Sequence, residues 1–226
     1  MTRASFDDAL AAAEDLHRSH PEVSQFTAWD DAVQFQRLEP HWIPSAKALP
    51  LDGALCDGRE LDGYSAFCAP AANARWRTTY KDADIGEEFN KKFGCYQLIG
   101  AEGHFFSETL NTYLVYAEKG LFYPWHHHPA EELYIIIAGE AVFEAAGRPP
   151  RRLRPGDTAF HASNQPHAMT TEDKPVLAYV LWRGDLKTRP VLTPKGPAAM
   201  SKVAKCLKLA EISDPALSHN ATGKAA

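Results

Sequence analysis

Three consecutive histidines in the middle of the chain constrain its fold and chemistry more than any other feature. They begin the run His126-His127-His128-Pro129-Ala130-Glu131-Glu132-Leu133-Tyr134, which is followed directly by Ile135-Ile136-Ile137. Side chains two apart on a β-strand point to the same side, so His126 and His128 share a face. Glu132 and Tyr134 point to that same face if the turn at Pro129-Ala130 preserves the two-residue alternation of the side chains. The run is internal and lies in an alternating strand pattern, which favours a functional site over a polar surface run.

A second hairpin offers a fourth ligand. His167 comes after the turn phrase Arg154-Pro155-Gly156-Asp157. Two or three imidazoles with one carboxylate form a set that binds a divalent transition metal. We therefore expect His126, His128, Glu132 and His167 to hold one ion, although His126 could approach the site without bonding the metal. These residue types do not distinguish zinc, iron, manganese, cobalt and nickel.

The neighbouring polar residues receive other interpretations. His127 alternates to the opposite face, which predicts a structural or solvent-facing role. Glu131 is out of phase with the ligands and is interpreted as a solvated acid or a support for a ligand. His161 ends a predicted strand, where it either faces the cavity or packs. The three N-terminal histidines are interpreted as surface or interface residues: His17, His20 and His41.

The spacing of the central run resembles the first motif of the cupins. Gly120, His126, His128, Glu132 and Gly139 match that motif without a gap. The second motif is matched more loosely by Pro155-Gly156-Asp157 and then Pro166-His167. The resemblance covers roughly residues 95 to 185. It implies a small jelly-roll β-barrel with a metal in its mouth.

Alternation with period two from Cys95 onward independently predicts many short strands separated by turn signals. This pattern is typical of a sandwich or barrel, and no βαβ alternation is present. We predict a mainly β fold, a cupin barrel with an α-helical N-terminal extension. The predicted strands are 96–99, 112–116, 121–128, 132–137, 141–145, 151–153, 158–161, 167–171 and 176–182.

Three parts of the chain are expected. Residues 1–94 form a helical extension packed on the barrel, residues 95–186 form the barrel with the metal site, and residues 187–226 form a C-terminal segment and tail. Within the extension, helices are predicted at 5–19, from Pro21 through Val33, and inside 71–93, where the third carries Trp76, Tyr80 and Phe89. Residues 40–70 are rich in Pro, Gly and Asp and predict loops with short helical turns.

Composition excludes several classes of protein. The 226 residues are 45% hydrophobic and 23% charged, with a net charge of -5, so nothing favours binding to nucleic acid or an anionic membrane. No apolar stretch approaches the length of a membrane span, and no signal peptide is evident, which predicts a cytoplasmic protein. Cys56, Cys68, Cys95 and Cys206 are scattered, which argues against a disulfide framework. A homodimer is left open.

Two tyrosines near the histidines narrow the resemblance. Tyr123 lies three residues before His126, and Tyr134 lies two after Glu132. This phrase resembles the cupin-type dimethylsulfoniopropionate (DMSP) lyases, most closely those of the DddL type. The resemblance implies cleavage of DMSP to dimethyl sulfide and acrylate. It places the metal at His126, His128, Glu132 and His167, makes Tyr123 the base, and places Tyr134 at the metal as the alternative base.

The implied chemistry suits these residue types. β-Elimination requires a base that removes the proton next to the carboxylate, and a nearby cation lowers the pKa of a tyrosine from its ordinary value near 10. The sulfonium end requires an aromatic face, which Trp182 or Tyr113 could supply if they do not simply pack. Two other functions stay open: another metal-dependent cupin enzyme such as an iron dioxygenase, and a non-catalytic cupin that binds a small molecule.

Overall fold

The structure is a computed structural model that describes residues 3–193, apart from the side chains of residues 51, 82 and 83. The greater part of the predicted C-terminal segment, from residue 194 onward, lies outside the described residues. No helix among residues 3–193 combines the length and the apolar character that crossing a membrane requires.

Two β-sheets form the framework of the described chain. Their strands are β1 (Gln34–Phe35), β2 (Phe93–Ile99), β3 (Phe105–Phe106), β4 (Asn111–Ala117), β5 (Phe122–His127), β6 (Glu131–Gly139), β7 (Ala141–Ala145), β8 (Arg151–Leu153), β9 (Thr158–His161), β10 (His167–Thr170), β11 (Val176–Arg183) and β12 (Val191–Leu192). The larger sheet has the order β1-β3-β2-β4-β11-β6-β9, and the smaller has the order β12-β5-β10-β7-β8. All pairs except β2–β3 are antiparallel.

The predicted jelly roll is confirmed, with one difference from a barrel. All nine strands predicted from the alternation are present within a few residues of their predicted ends. The two sheets face each other, but hydrogen bonds do not close them into one continuous barrel. Side chains from both inner faces instead pack together in one apolar cluster, as in a sandwich.

The alternation along the larger sheet separates two apolar clusters. On β2, the side chains of Phe93 and Cys95 face the interior between the sheets, whereas Tyr96 and Leu98 face the other way. The outward-facing side chains form a second cluster with residues of the N-terminal helices, including the fully buried Phe6. One face of this sheet therefore carries the packing with the helices, and the other lines the interior.

Six short or medium helices precede the second strand or lie around it. They are α1 (Arg3–Ser19), α2 (Pro21–Phe26), α3 (Pro44–Ala48), α4 (Tyr64–Cys68), α5 (Asp82–Ile85) and α6 (Glu87–Lys92). Single 3-10 turns occupy residues 49–51, 53–55 and 71–73. The helix predicted at 5–19 is confirmed, as are the short helical turns predicted for residues 40–70.

Two helix predictions are wrong in extent. The second helix ends at Phe26, because Thr27 is extended and Asp30 accepts hydrogen bonds from the Ala32 amide and the Ser107 hydroxyl. The third predicted helix is present only as α5 and α6, which Gly86 separates with a φ of 97°. Trp76 and Tyr80 lie before these helices in chain that runs alongside β2. Contacts distant in sequence override the local helical pattern in both places.

Gly139 ends β6 and has a structural reason for its place in the motif. Its φ is 72°, a conformation that side chains disfavour, and a Cβ built there would overlap the carbonyl oxygen of Pro175. The Glu140 amide donates a hydrogen bond to that same oxygen. The close approach of the two backbones therefore depends on a missing side chain.

We predict that Gly139→Ala destabilises the protein by at least about 2 kcal/mol more than Gly147→Ala. Gly147 is the matched control because its φ is 82° but a Cβ there meets nothing within 4 Å. Urea unfolding of both variants measures the difference. Equal losses of stability would mean that only the backbone conformation matters and that the overlap with Pro175 relaxes freely.

Candidate metal centre

The register of the strands brings the predicted ligands together. His126 on β5 pairs with His167 on β10 in the smaller sheet. Glu132 on β6 is flanked in the larger sheet by His161 on β9 and Trp182 on β11. The inner faces of the two sheets therefore present these five side chains toward one point.

The donor atoms converge in two overlapping groups of three. One group is His126, His128 and His167, and the other is Glu132, His161 and His167; within each group the ligand atoms lie within 4.8 Å of one another. All five side chains are at least nine-tenths buried. Imidazole and carboxylate donors at this spacing match the sites of divalent transition metals.

Backbone carbonyl groups fix the orientation of three of these rings. The Nδ1 atoms of His126, His128 and His167 lie 2.8, 3.0 and 2.8 Å from the carbonyl oxygens of Pro124, Ala130 and Gln165. A carbonyl oxygen only accepts, so each Nδ1 carries the proton and donates it. The lone pair of each neutral ring is then on Nε2, the arrangement that metal-binding histidines require.

Two of these Nε2 atoms are buried without a hydrogen-bond partner: those of His128 and His167. They lie 3.4 and 3.2 Å from Oε2 of Glu132. Lone pairs that face a carboxylate oxygen repel it unless a positive charge lies between them. A proton on His128 or a metal ion supplies that charge, and so the residues present fit a cation.

The pKa values of Glu132 and its neighbouring histidines shift in the directions that this arrangement of charges requires. Burial alone would raise the pKa of Glu132, but the charge of His128 and the hydrogen bond from His161 hold it well below its usual range. Burial lowers the pKa of His128, and the Glu132 carboxylate more than reverses this. His126 is different, because burial and the nearby His167 both lower its pKa and keep the ring neutral.

Two further side chains hold Glu132 in place. The indole Nε1 of Trp182 donates to Oε1 at 2.7 Å, and Nδ1 of His161 donates to Oε2 at 3.1 Å. The Trp182 ring also stacks on His128, with 4.4 Å between ring centroids, and the His161 ring stacks on His167 at 3.9 Å. Contacts of this kind orient metal ligands and tune their basicity.

The two predicted catalytic tyrosines both lie beside the histidine cluster. The ring of Tyr123 stacks on His126 with centroids 3.9 Å apart, and its hydroxyl lies 3.3 Å from that of Tyr80. The Tyr134 ring lies edge-on to His161 at 5.8 Å. Burial raises the pKa of Tyr123 and of Tyr134 well above 10, so both are protonated phenols unless a cation is present.

A cavity of about 300 Å³ gives access to the cluster. Both predicted catalytic tyrosines and both predicted substrate-binding residues, Trp182 and Tyr113, line it. One face of Tyr113 is already covered, because the Arg77 guanidinium lies 4.8 Å from the ring centroid. A second cavity of about 630 Å³ adjoins the first, and Arg77, Tyr113 and Trp182 line both.

His127 and Glu131 lie away from the site, whereas His41, predicted to be a surface or interface histidine, lines its cavity. His127 is half-buried on the other side of β5, where its Nδ1 lies 2.9 Å from the Thr193 hydroxyl. Glu131 forms an ion pair with Arg183 at 2.6 Å near the surface. Of the N-terminal histidines, His17 is buried against Tyr179 at the interface of helix and sheet, and His41 lines the smaller cavity.

Sequence reasoning missed part of the site. The sequence leaves His161 undecided between cavity and packing, and only the pairing of β6 with β9 places it next to Glu132. The sequence does not mark Tyr80 and Arg77 as site residues, because both lie in a segment predicted to be helical. Their proximity to the site follows from the bridge between Arg77 and Cys95, for which the local sequence has no signal.

Comparisons with known proteins identify the family. The sequence profile of the dimethylsulfoniopropionate lyases matches residues 62–178. A relative from Ruegeria pomeroyi (strain ATCC 700808 / DSM 15171 / DSS-3), named dimethylsulfoniopropionate lyase DddQ, is 46% identical over 197 residues, which cover 87% of this chain and 98% of the relative. This chain belongs to the DMSP lyase family.

Solved structures of DMSP lyases agree with this membership. The crystal structure of DMSP lyase DddQ from Ruegeria pomeroyi DSS-3 superimposes with a TM-score of 0.82 and 46% identity, and covers 86% of this chain and all of its own. A structure described as that of DMSP lyases RdDddP and RnDddQII gives a TM-score of 0.79 at 36% identity, with coverage of 84% and 98%. The cupin-type DMSP lyase predicted from the sequence is confirmed, but the DddL subtype is wrong, since the similarity is to DddQ.

We predict that Glu132→Gln lowers the affinity for a divalent transition metal by more than about 100-fold, because it removes the only carboxylate within either group of ligand atoms. A calorimetric titration of the apoprotein with the metal measures this affinity. His127→Gln is the matched control and should bind normally, because that ring faces away from the cluster. Unchanged affinity in Glu132→Gln would remove this carboxylate from the ligand set.

Trp182→Phe should lower metal affinity by about tenfold while leaving a folded protein. The change keeps an aromatic ring beside His128 but deletes the Nε1–H bond to Glu132. The same calorimetric titration measures it, with the melting temperature of the apoprotein as the test of folding. Full affinity in this variant would show that the indole bond does not orient the carboxylate.

Proposed function

We propose that this chain cleaves DMSP to dimethyl sulfide and acrylate by a base-initiated β-elimination. The observation that carries the proposal is the convergence of buried, unpartnered imidazole nitrogens and one carboxylate at the end of a cavity, in a chain that belongs to the DMSP lyase family. Such donors serve a cation, and the cavity leaves room for a small substrate beside it.

His126, His128, Glu132 and His167 are the residues we propose to hold one divalent transition metal ion. The chemistry of the donors accommodates zinc, iron, manganese, cobalt or nickel. His161 would orient Glu132, or would itself bind the ion beside His167 in place of Glu132. When bound, the ion supplies positive charge that stabilises the negative charge developing on the substrate carboxylate.

Tyr123 is the proposed base, and Tyr134 is the alternative. The phenolate removes the proton from the carbon next to the carboxylate. The electrons of that bond form the double bond of acrylate, and dimethyl sulfide leaves with the electrons of the carbon–sulfur bond. As a phenol, Tyr123 donates a hydrogen bond to the Tyr80 hydroxyl, 3.3 Å away. Once Tyr123 is a phenolate, the Tyr80 hydroxyl would turn to donate to it.

The aromatic walls would receive the sulfonium end of the substrate. Trp182 and Tyr113 line the cavity with their rings 5.6 Å apart. An aromatic face attracts a cation without forming a covalent bond to it, so it binds a sulfonium reversibly. Arg77 covers one face of Tyr113 and His128 covers one face of Trp182, so each ring has one face left for the sulfonium.

The other partners follow from the sequence. DMSP is the proposed small-molecule partner, and the net charge of -5 does not favour nucleic acid or an anionic membrane surface. A cytoplasmic location and a homodimer stay predictions.

The decisive experiment is gas chromatography of the headspace over purified protein given DMSP. Dimethyl sulfide should be released, lost after treatment with a chelator, and restored by added metal. The five candidate metals are supplied separately, and oxygen consumption is followed in parallel. No release with any metal would overturn the proposal, and metal-dependent oxygen uptake would point to a dioxygenase.

We predict that Tyr123→Phe lowers the turnover rate by roughly 100- to 10,000-fold, the usual contribution of a general base, with the metal content unchanged. Tyr96→Phe is the matched control, since Tyr96 lies on the outer face of β2 and its hydroxyl donates to the carbonyl of Phe67. Retained turnover in Tyr123→Phe, with loss in Tyr134→Phe, would transfer the role of base to Tyr134.

A further inference from the structure

A free thiol forms part of the wall of the proposed active-site cavity. Cys95 lies on the inner face of β2 and lines the cavity together with His128 and Glu132. Only 7% of the residue is exposed. Its backbone is fixed by two hydrogen bonds to Arg77, of 2.8 Å to the Cys95 carbonyl and 3.2 Å from the Cys95 amide. The thiol is therefore held at a defined position in the cavity.

A cation stands beside this thiol. Arg77 is bridged to Cys95, whose sulfur lies 4.0 Å from the Arg77 carbonyl oxygen, and the Arg77 guanidinium lies 4.8 Å from the ring centroid of Tyr113. Arg77 lines both cavities. Its carboxylate partner, Glu102, is 3.8 Å away and its side chain is 81% exposed. This separation exceeds that of a hydrogen bond, so the fork of Arg77 retains donors for the carboxylate of a ligand.

The cavity shows independently that it is built for a ligand. The Nε2 atom of His128 is buried and unpartnered, and the ring lines the same cavity as Cys95. A small carboxylate drawn to the proposed metal or to Arg77 therefore stays in a cavity that also contains the thiol.

We propose that Cys95 is a site of covalent modification by acrylate, the product that the proposed function releases into this cavity. The inference rests on that function only for the source of acrylate. The sulfur of Cys95 adds to the β-carbon, the electrons of the double bond move to the α-carbon, and a proton equivalent to the one lost by the thiol is taken up there. One S–H bond and the π bond of the C=C are replaced by one S–C bond and one C–H bond, and no oxidant or reductant is required.

Arg77 makes the addition selective. A free acrylate anion is a weak acceptor of thiols because its carboxylate places negative charge next to the double bond. Pairing with a guanidinium offsets that charge and holds the molecule close to the sulfur. We therefore expect modification at Cys95 in preference to Cys56, although Cys56 is exposed and Cys95 is buried.

The test is peptide mass mapping of the metal-loaded full chain after incubation with acrylate. We expect one adduct, of the mass of acrylic acid, on the peptide that contains Cys95. Its rate should saturate with acrylate concentration, and propionate, which binds but cannot add, should slow it. Absence of an adduct, or equal modification of Cys56 at a rate that does not saturate, would overturn the inference.

Matched variants separate recognition from general reactivity. Cys95→Ser should abolish the adduct, and Cys56→Ser should leave it unchanged. Arg77→Gln should slow modification by about tenfold, the effect of losing a charge-assisted hydrogen bond. Arg148→Gln is its control, because Arg148 also lies over an aromatic ring, Phe160 at 5.9 Å, but lines neither of the two cavities. Equal rates in the two arginine variants would refute the role of Arg77.

A parallel incubation with DMSP distinguishes the two proposals. If acrylate gives an adduct, but DMSP gives neither an adduct nor dimethyl sulfide, the proposed lyase activity is refuted and the proposed modification site stands. Dimethyl sulfide from DMSP with no adduct from either compound would refute the modification alone. The expected result is an adduct on Cys95 from both compounds, together with dimethyl sulfide from DMSP, and no adduct in Cys95→Ser.

Discussion

The buried carboxylate of Glu132 is the interaction on which the rest of the centre depends. A charge with 3% exposure costs several kcal/mol unless other groups neutralise and hydrogen-bond it. Here an indole donates to one oxygen and His161 to the other, while two further histidines approach the second oxygen. The centre is therefore stable only with a positive charge in it, which explains why so many imidazoles surround one acid.

The geometry of the strands makes this cluster compatible with a well-packed protein. Each strand of the larger sheet sends alternate side chains to opposite faces, so the same strand serves the interior and the layer of helices. On β6, for example, Glu132 and Tyr134 face the cavity, while Leu133 and Ile135 join the outer apolar cluster with the helices. The outer cluster stabilises the sheet, and that rigidity holds the polar residues in place.

The parts of the site that the sequence predicts are those governed by local periodicity. The phase from His126 to Tyr134 is a property of one short stretch of chain, and the structure keeps it although β5 and β6 lie in different sheets. Tyr80 and Arg77 were out of reach because their positions depend on one bridge to Cys95, distant in sequence. The helix predicted beyond Phe26 fails for a similar reason, since Asp30 is drawn into hydrogen bonds with residues that follow β3. Periodicity thus predicts the strands and their faces, whereas the covering segments are fixed by tertiary contacts.

The segment before β2 has a consequence for how enzymes on this scaffold diverge. Arg77, Thr78 and Thr79 line the cavity, yet they belong to the chain between β1 and β2, outside the strands that carry the proposed ligands. Part of the wall around the substrate thus resides on a stretch of the polypeptide separate from the groups that bind the cation. Mutation can reshape this covering segment while the strands that carry the proposed ligands stay intact. A relative could acquire a new substrate by exchanging this short covering segment, without rebuilding the reactive centre beneath it.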